Sequence, residues 1–258
     1  YHKGLYKQSL KILDKAKVLA IKNQEKNIAY EIVELEKVIE SQYITRSLSN
    51  RADALTIQAK ELSHQNVIAS KLSNLSLQLY GLFLKTGYVK NNAEHEKVTD
   101  YFDKRMPKFT IEALEYREKL WLYKSHLWYS FLIQDFKSCY KYSRKWVDLF
   151  YDNEAMIPLN PVFFLRGYQY LLEALFFIKH HQKFKNVLND FEQITQKAWF
   201  PHDDNIDGLV FLYLYSNKIN LHFMEGSFTE GLPLIEEVLE GLKRHANQID
   251  EHHVMVFY

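Results

Sequence analysis

The pattern Gly4-Leu5-Tyr6, then Ser9, Leu13 and Ala16, returns along this chain at intervals of about 44 residues. It is clearest again at Gly226-Ser227-Phe228, then Gly231, Ile235 and Val238. A fixed period of this length marks helical hairpins stacked side by side. One amphipathic pair cannot bury its apolar face alone, so each unit borrows the flank of the next. The period constrains architecture strongly and leaves activity open.

Helical periodicity runs through almost the whole chain. It predicts helices near 4–21, 24–42, 47–64, 66–86, 93–105, 110–133, 136–151, 161–180, 183–198, 204–225 and 228–245, with a last one beginning near Asp250. Pro107, Pro158, Pro161 and Pro201 fall between these segments, where a missing N–H costs least. Asn160 before Pro161 reads as an N-cap with proline at the first helical position. Ser227 with Glu230 reads as a capping box. Pro233, several residues inside its segment, predicts a kink or a late helix start.

The second helix of each hairpin opens with a two-residue step onto an aromatic or small residue. The step occurs at Gly4/Tyr6, Ser47/Ser49, Gln134/Phe136, Gln182/Phe184 and Gly226/Phe228. The gap after the second copy is about twice the others, and Thr86-Gly87-Tyr88 fills its middle as a worn copy. Three residues beyond the step stand Ser9, Ala52, Cys139, Val187 and Gly231. Four further on come Leu13, Thr56, Ser143, Phe191 and Ile235, and three beyond those Ala16, Ala59, Trp146, Ile194 and Val238. This spacing places each set on one helical stripe, and the small residues early in it admit a close helical partner.

On the residues Gly4-x-Tyr6-x-x-Ser9-x-x-x-Leu13-x-x-Ala16 and Gly226-x-Phe228-x-x-Gly231-x-x-x-Ile235-x-x-Val238, the chain resembles the tetratricopeptide-repeat (TPR) family. The likeness extends over nearly the whole chain. Members of that family usually repeat every 34 residues or so; the longer period here implies longer helices. The late alanine of the family pattern is Trp146, Ile194 and Val238 in three units, and the tryptophan–leucine–glycine signature of the first helix is not legible. The chain looks like the divergent, long-helix branch found in bacterial regulatory and scaffold proteins. The resemblance implies an all-α, right-handed α-α superhelix of about six hairpins, forming a single repeat segment over residues 1–258. It also implies a concave face lined by the first helix of each hairpin.

Composition narrows the function classes. Thirty-three Lys+Arg against 32 Asp+Glu leave a net charge of +1, which gives no support to nucleic acid or an anionic membrane as partner. Eight Gly and five Pro are too few for the frequent turns of a β-sandwich or barrel. The single Cys139 excludes an internal disulfide. No apolar run approaches the roughly 20 residues of a membrane span; the run Tyr170–Ile178 is short and carries Glu173. The chain opens on Tyr1 rather than Met and stops in mid-pattern at His252-His253-Val254-Met255-Val256-Phe257-Tyr258. We therefore expect a segment of a longer protein, cut at both ends, with a cytoplasmic location.

Few residues offer chemistry. Asp203-Asp204-Asn205-Ile206-Asp207 matches the spacing at which carboxylates share Mg²⁺. It directly follows Pro201-His202, however, where acidic residues start a helix through capping and the dipole. His180-His181 and His252-His253 are adjacent pairs whose side chains diverge by about 100° on a helix, so neither chelates as a pair. Cys139 occupies a packing slot and reads as a buried thiol. Lys7, Lys11, Lys15, Lys22 and Lys26 form a basic stripe read as a solvated face. Accordingly we expect no catalytic set, no metal site and no cofactor.

Binding chemistry is better represented. Trp121-Leu122-Tyr123-Lys124-Ser125-His126-Leu127-Trp128-Tyr129 lies on the first helix of a hairpin, and side chains of similar character recur on the equivalent helices. Tyr, Trp, Arg and Asn join a broad body to a polar tip and suit binding surfaces, although many such rings fill space between hairpins. The groove candidates are Lys124, Trp128, Arg166, Gln169, Tyr213, Asn217 and Asn220. The leading expectation is a non-enzymatic scaffold holding a protein or peptide. The alternative is the ligand- or peptide-sensing half of a longer bacterial regulator. A more remote one is a helical-toroid, Mg²⁺-dependent enzyme around Asp203, Asp204 and Asp207.

Overall fold

The computed structural model describes residues 5–43, 50–249 and 257. Every regular element among them is helical. These are α1 (Tyr6–Lys22), α2 (Lys26–Tyr43), α3 (Arg51–Thr86), α4 (Asn92–Arg105), α5 (Tyr116–Leu132) and α6 (Phe136–Tyr151). They continue as α7 (Pro161–Phe177), α8 (His181–Thr195), α9 (Asp204–Glu225), the single turn α10 (Phe228–Gly231) and α11 (Pro233–Arg244). No strand occurs among the described residues, and no helix there is long and apolar enough to cross a membrane. The chain divides into two compact units, Tyr1–Gln78 with Asp100–Ser125, and Leu79–Thr99 with His126–Tyr258.

The helix starts follow local chemistry in most places. Asp203 caps α9, its Oδ1 accepting from the Ile206 N–H at 2.8 Å, and Asp135 caps α6 by accepting from Ser138 N–H at 3.1 Å. The aspartate-rich stretch thus acts as the capping reading requires, and Asp207 takes His202 Nδ1 at 2.7 Å. Pro161 stands at the first position of α7, but Asn160 makes no side-chain cap bond. The expected capping box at Ser227 is also absent; its hydroxyl meets His222 Nδ1 at 2.8 Å instead. Pro233 starts α11 afresh after the one-turn α10, as its missing N–H demands.

The helix break expected at residue 65 does not exist, because α3 runs unbroken for 36 residues. Nothing between Arg51 and Tyr80 is Gly or Pro. A stripe of Leu55, Ala59, Leu62, Ile68, Leu72, Leu75 and Leu79 stays buried across the polar Ser63-His64-Gln65-Asn66 stretch. Ala52 and Thr56, placed on the buried stripe by the repeat pattern, are exposed. The Ser47/Ser49 step lies outside the described residues.

In the first unit, α1 and α2 form a hairpin closed at Gln24, whose φ is 59°. Alanines at 20, 29 and 59 let the backbones approach, and Val33, Leu55 and Leu62 complete that core. A second cluster joins Ile68 and Leu72 to Leu114 and Leu122. Charges are buried here in pairs. Lys26 Nζ donates to both Glu118 oxygens at 3.0 and 3.1 Å, and Lys17 Nζ to Glu36 Oε2 at 2.6 Å. Lys26 therefore leaves the solvated basic stripe assigned to it; Lys7, Lys11, Lys15 and Lys22 remain exposed.

In the second unit, α7 packs against α6, α8 and α9. The hairpin turns again place one residue in the left-handed region: Gln134 (φ 61°), Lys179 (φ 56°) and Gly226 (φ 69°). These positions recur at the expected period, with one shift of register. The turn before α8 is Lys179/His181 rather than Gln182/Phe184, so Phe184, not Val187, is the counterpart of Cys139. The expected stripe is buried in α6 (Cys139, Ser143, Trp146) and in α8 (Val187, Phe191, Ile194), whereas Ile235 on α11 is exposed. Gly241 on α11 is where that helix meets α9. A Cβ there would lie 1.9 Å from the Phe211 ring.

Two stability outcomes follow from this packing. Gly241→Ala gains up to about 1 kcal/mol in helix propensity but overpacks Phe211, so we expect a net loss of about 1–2 kcal/mol in urea unfolding. Lys26→Met strands a buried carboxylate and should cost about 3–5 kcal/mol, whereas Lys26→Met combined with Glu118→Leu recovers more than half of that loss. A double-variant loss equal to the sum of the Lys26→Met and Glu118→Leu losses would show that the pair carries no coupling.

Candidate functional site

The second unit brings polar side chains from α7 and α9 to one place. Arg166, Gln169, Tyr170 and Glu173 follow one another along a stripe of α7; Tyr213, Asn217 and Asn220 do so on α9. The two helices are in contact, and the stripes meet at Gln169 and Asn217. Asn217 is fully buried, and its Nδ2 donates to Gln169 Oε1 and to the Tyr213 carbonyl, both at 2.7 Å. Asn217 Oδ1 is buried with no partner. Burial pushes the Tyr213 hydroxyl above its ordinary value, and the neighbouring Arg166 guanidinium pulls it back. Arg166 itself is exposed.

Trp128 joins this group through Tyr170, their ring centroids 5.5 Å apart. It is buried, its Nε1 has no acceptor, and it also meets Tyr80 at 4.6 Å, Phe83 at 5.6 Å and Phe131 at 5.8 Å. Of the seven groove candidates, the structure thus gathers Trp128, Arg166, Gln169, Tyr213 and Asn217. Asn220 is half-buried one helical turn beyond Asn217. Lys124, in the other unit, lies with its Nζ 4.8 Å from the Trp121 ring centre.

Glu173 was not among those candidates. It sits two turns beyond Arg166, half-buried, with no hydrogen bond or ion pair to any described residue. Burial alone raises its carboxyl from 4.5 to about 7. Its charge in turn pushes up the Tyr88 and Tyr170 hydroxyls and the Cys139 thiol, each already raised mainly by burial. One signal for it was present in the sequence: it is the sole charge in the apolar run Tyr170–Ile178.

Other features point to structure rather than chemistry. His126 stacks on Tyr142 with centroids 4.3 Å apart, and burial with Lys141 and Lys145 nearby lowers it to about 4, so it is neutral at pH 7. His181 Nε2 meets Glu225 at 3.0 Å; His252 and His253 lie outside the described residues. No cluster of three metal-ligating side chains occurs among the described residues. Phe223, Phe228, Leu232, Ile235 and Phe257 line a shallow apolar cavity of about 440 Å³ beside α9 and α11. Comparison of the chain with protein-family models, with curated proteins and with solved structures returns no match.

The raised carboxyl has a consequence for stability. The folded chain keeps this proton up to about pH 7, whereas the unfolded chain releases it near 4.5. The native state therefore binds more protons across that window, and stability falls as pH rises through it. We expect a decline on the order of 1–2 kcal/mol between about pH 5 and pH 8, read by urea unfolding. Glu173→Gln should flatten that portion of the profile; an unchanged slope would place the effect elsewhere.

Proposed function

We propose that this chain is a non-enzymatic interaction module, a TPR-like stack of helical hairpins that holds an extended peptide on the surface shared by α7 and α9. The observation that carries the reading is the Asn217–Gln169 bond at 2.7 Å, flanked by the exposed Arg166 and by Asn217 Oδ1, which has no donor. Asn217 lies fully buried beneath that surface and holds Gln169, so the half-buried Gln169 amide and the exposed Arg166 guanidinium are the groups that meet the peptide. Amide and guanidinium groups at fixed spacing suit a peptide backbone better than a reacting bond. Stacked hairpins also make open surfaces rather than deep, water-excluding pockets. The half-buried Tyr213 adds an apolar body for side chains of the bound segment, and the buried Trp128 backs Tyr170 from the core.

Selection of binders from a library of random peptides tests this. We expect recovered peptides whose Kd rises at least about tenfold with Arg166→Ala, a change at an exposed side chain that leaves the fold intact. Gln169→Ala should weaken the same peptides. A library that returns no binder, or binders indifferent to both changes, would overturn the reading.

A further inference from the structure

We propose that Glu173 and the rings around it form a binding site for an alkylammonium group, with the carboxylate as counter-ion and the aromatic faces as its walls. The inference does not depend on what else the α7–α9 surface holds.

Three observations converge on it. First, Glu173 meets no basic side chain and no donor among the described residues, although it is half-buried within an apolar stretch of α7. A carboxylate in such surroundings is costly unless a cation reaches it. Second, Tyr170 and Phe177 stand one turn to either side of Glu173 on α7, and both rings belong to a continuous aromatic set, in which Phe136 lies 4.3 Å from Phe177 and 6.3 Å from Tyr88. Tyr170 meets Trp128 at 5.5 Å, Trp128 meets Tyr80 at 4.6 Å and Phe83 at 5.6 Å, and Phe83 meets Tyr88 at 5.3 Å. Third, the set reaches solvent: Tyr80 is 38% exposed, and Phe177, one turn beyond Glu173, is 37% exposed.

Aromatic faces carry negative potential and attract a positive group, most strongly when it is desolvated. A methylated ammonium is weakly hydrated and broad, so it loses little on leaving water and covers several ring faces at once. A metal ion would need more oxygen ligands than one carboxylate supplies. An anion would meet the carboxylate. A neutral apolar group would leave the charge unpaired. The chemistry selects an organic cation, supplied either as a free small molecule or as a methylated lysine side chain.

Isothermal titration of the whole chain at about pH 8, where the carboxyl is ionised, uses choline and its uncharged carbon isostere as paired probes. We expect choline to bind at least tenfold more tightly than the isostere. Glu173→Gln should abolish that preference, and Tyr80→Ala, at a partly exposed ring, should weaken choline several-fold without loss of fold. A trimethyllysine peptide run in parallel identifies the source: tighter binding than choline assigns a peptide side chain, weaker binding a free small molecule, and either supports the site. Equal affinity for choline and the isostere, no binding of either choline or the peptide, or a Glu173→Gln variant that keeps the preference would overturn it.

Discussion

One residue in the left-handed region closes each tight hairpin, and the arrangement of helices depends on it. At Gln24, Gln134, Lys179 and Gly226 the backbone reverses within two or three residues. The helices on either side must then lie antiparallel and in contact. In the second unit Lys179 folds α8 back onto α7, while α6 and α9 reach α7 through the longer connections at 152–160 and 196–203. That position suits a helix that is apolar nearly all round, and among its few polar side chains Gln169 reaches Asn217 on α9 while Tyr168 reaches Tyr151 on α6. The reversal falls on a glycine only once. Gln and Lys accept the left-handed conformation elsewhere at modest cost, which surrounding contacts offset.

Both units leave some buried polar atoms without partners, Gln24 Oε1 and Ser76 Oγ in the first and Trp146 Nε1 in the second among them. In the first, charges removed from water meet partners: Lys26 is held by both oxygens of Glu118, and Lys17 by Glu36. Such pairs fix helix register, because breaking one strands the other. In the second unit Trp128 Nε1 and Asn217 Oδ1 are buried without partners, and Glu173 has no hydrogen bond or ion pair among the described residues. Packing alone gives no reason to retain them, since a leucine or phenylalanine would fill the same space without the desolvation penalty.

Legibility differed by element for physical reasons. Pro233 and the Asp203 cap act within one turn of chain, and both were readable as local chemistry. Residue 65 was misread because polar residues in a row resemble a loop, whereas buried stripes on either side hold α3 straight through them. The α8 register slipped because Phe184, Val187, Phe191 and Ile194 are all apolar, so two phases of the stripe fit the sequence equally well. Lys26 continued a basic stripe by spacing alone, and its partner Glu118 is remote in sequence. Glu173 was visible as an isolated charge, yet only as an argument against a membrane span.

By itself the amino-acid sequence determined that this chain is helical and where most of its reversals fall. Periodicity, proline and caps operate over a few residues and need no distant partner. Tertiary structure alone decided which faces meet and which polar atoms are left over. Gln169 and Asn217 are bonded because α7 and α9 touch, and Glu173 stands apart because no cationic side chain among the described residues pairs with it. Both are properties of surroundings assembled from remote parts of the chain, and no local pattern encodes them.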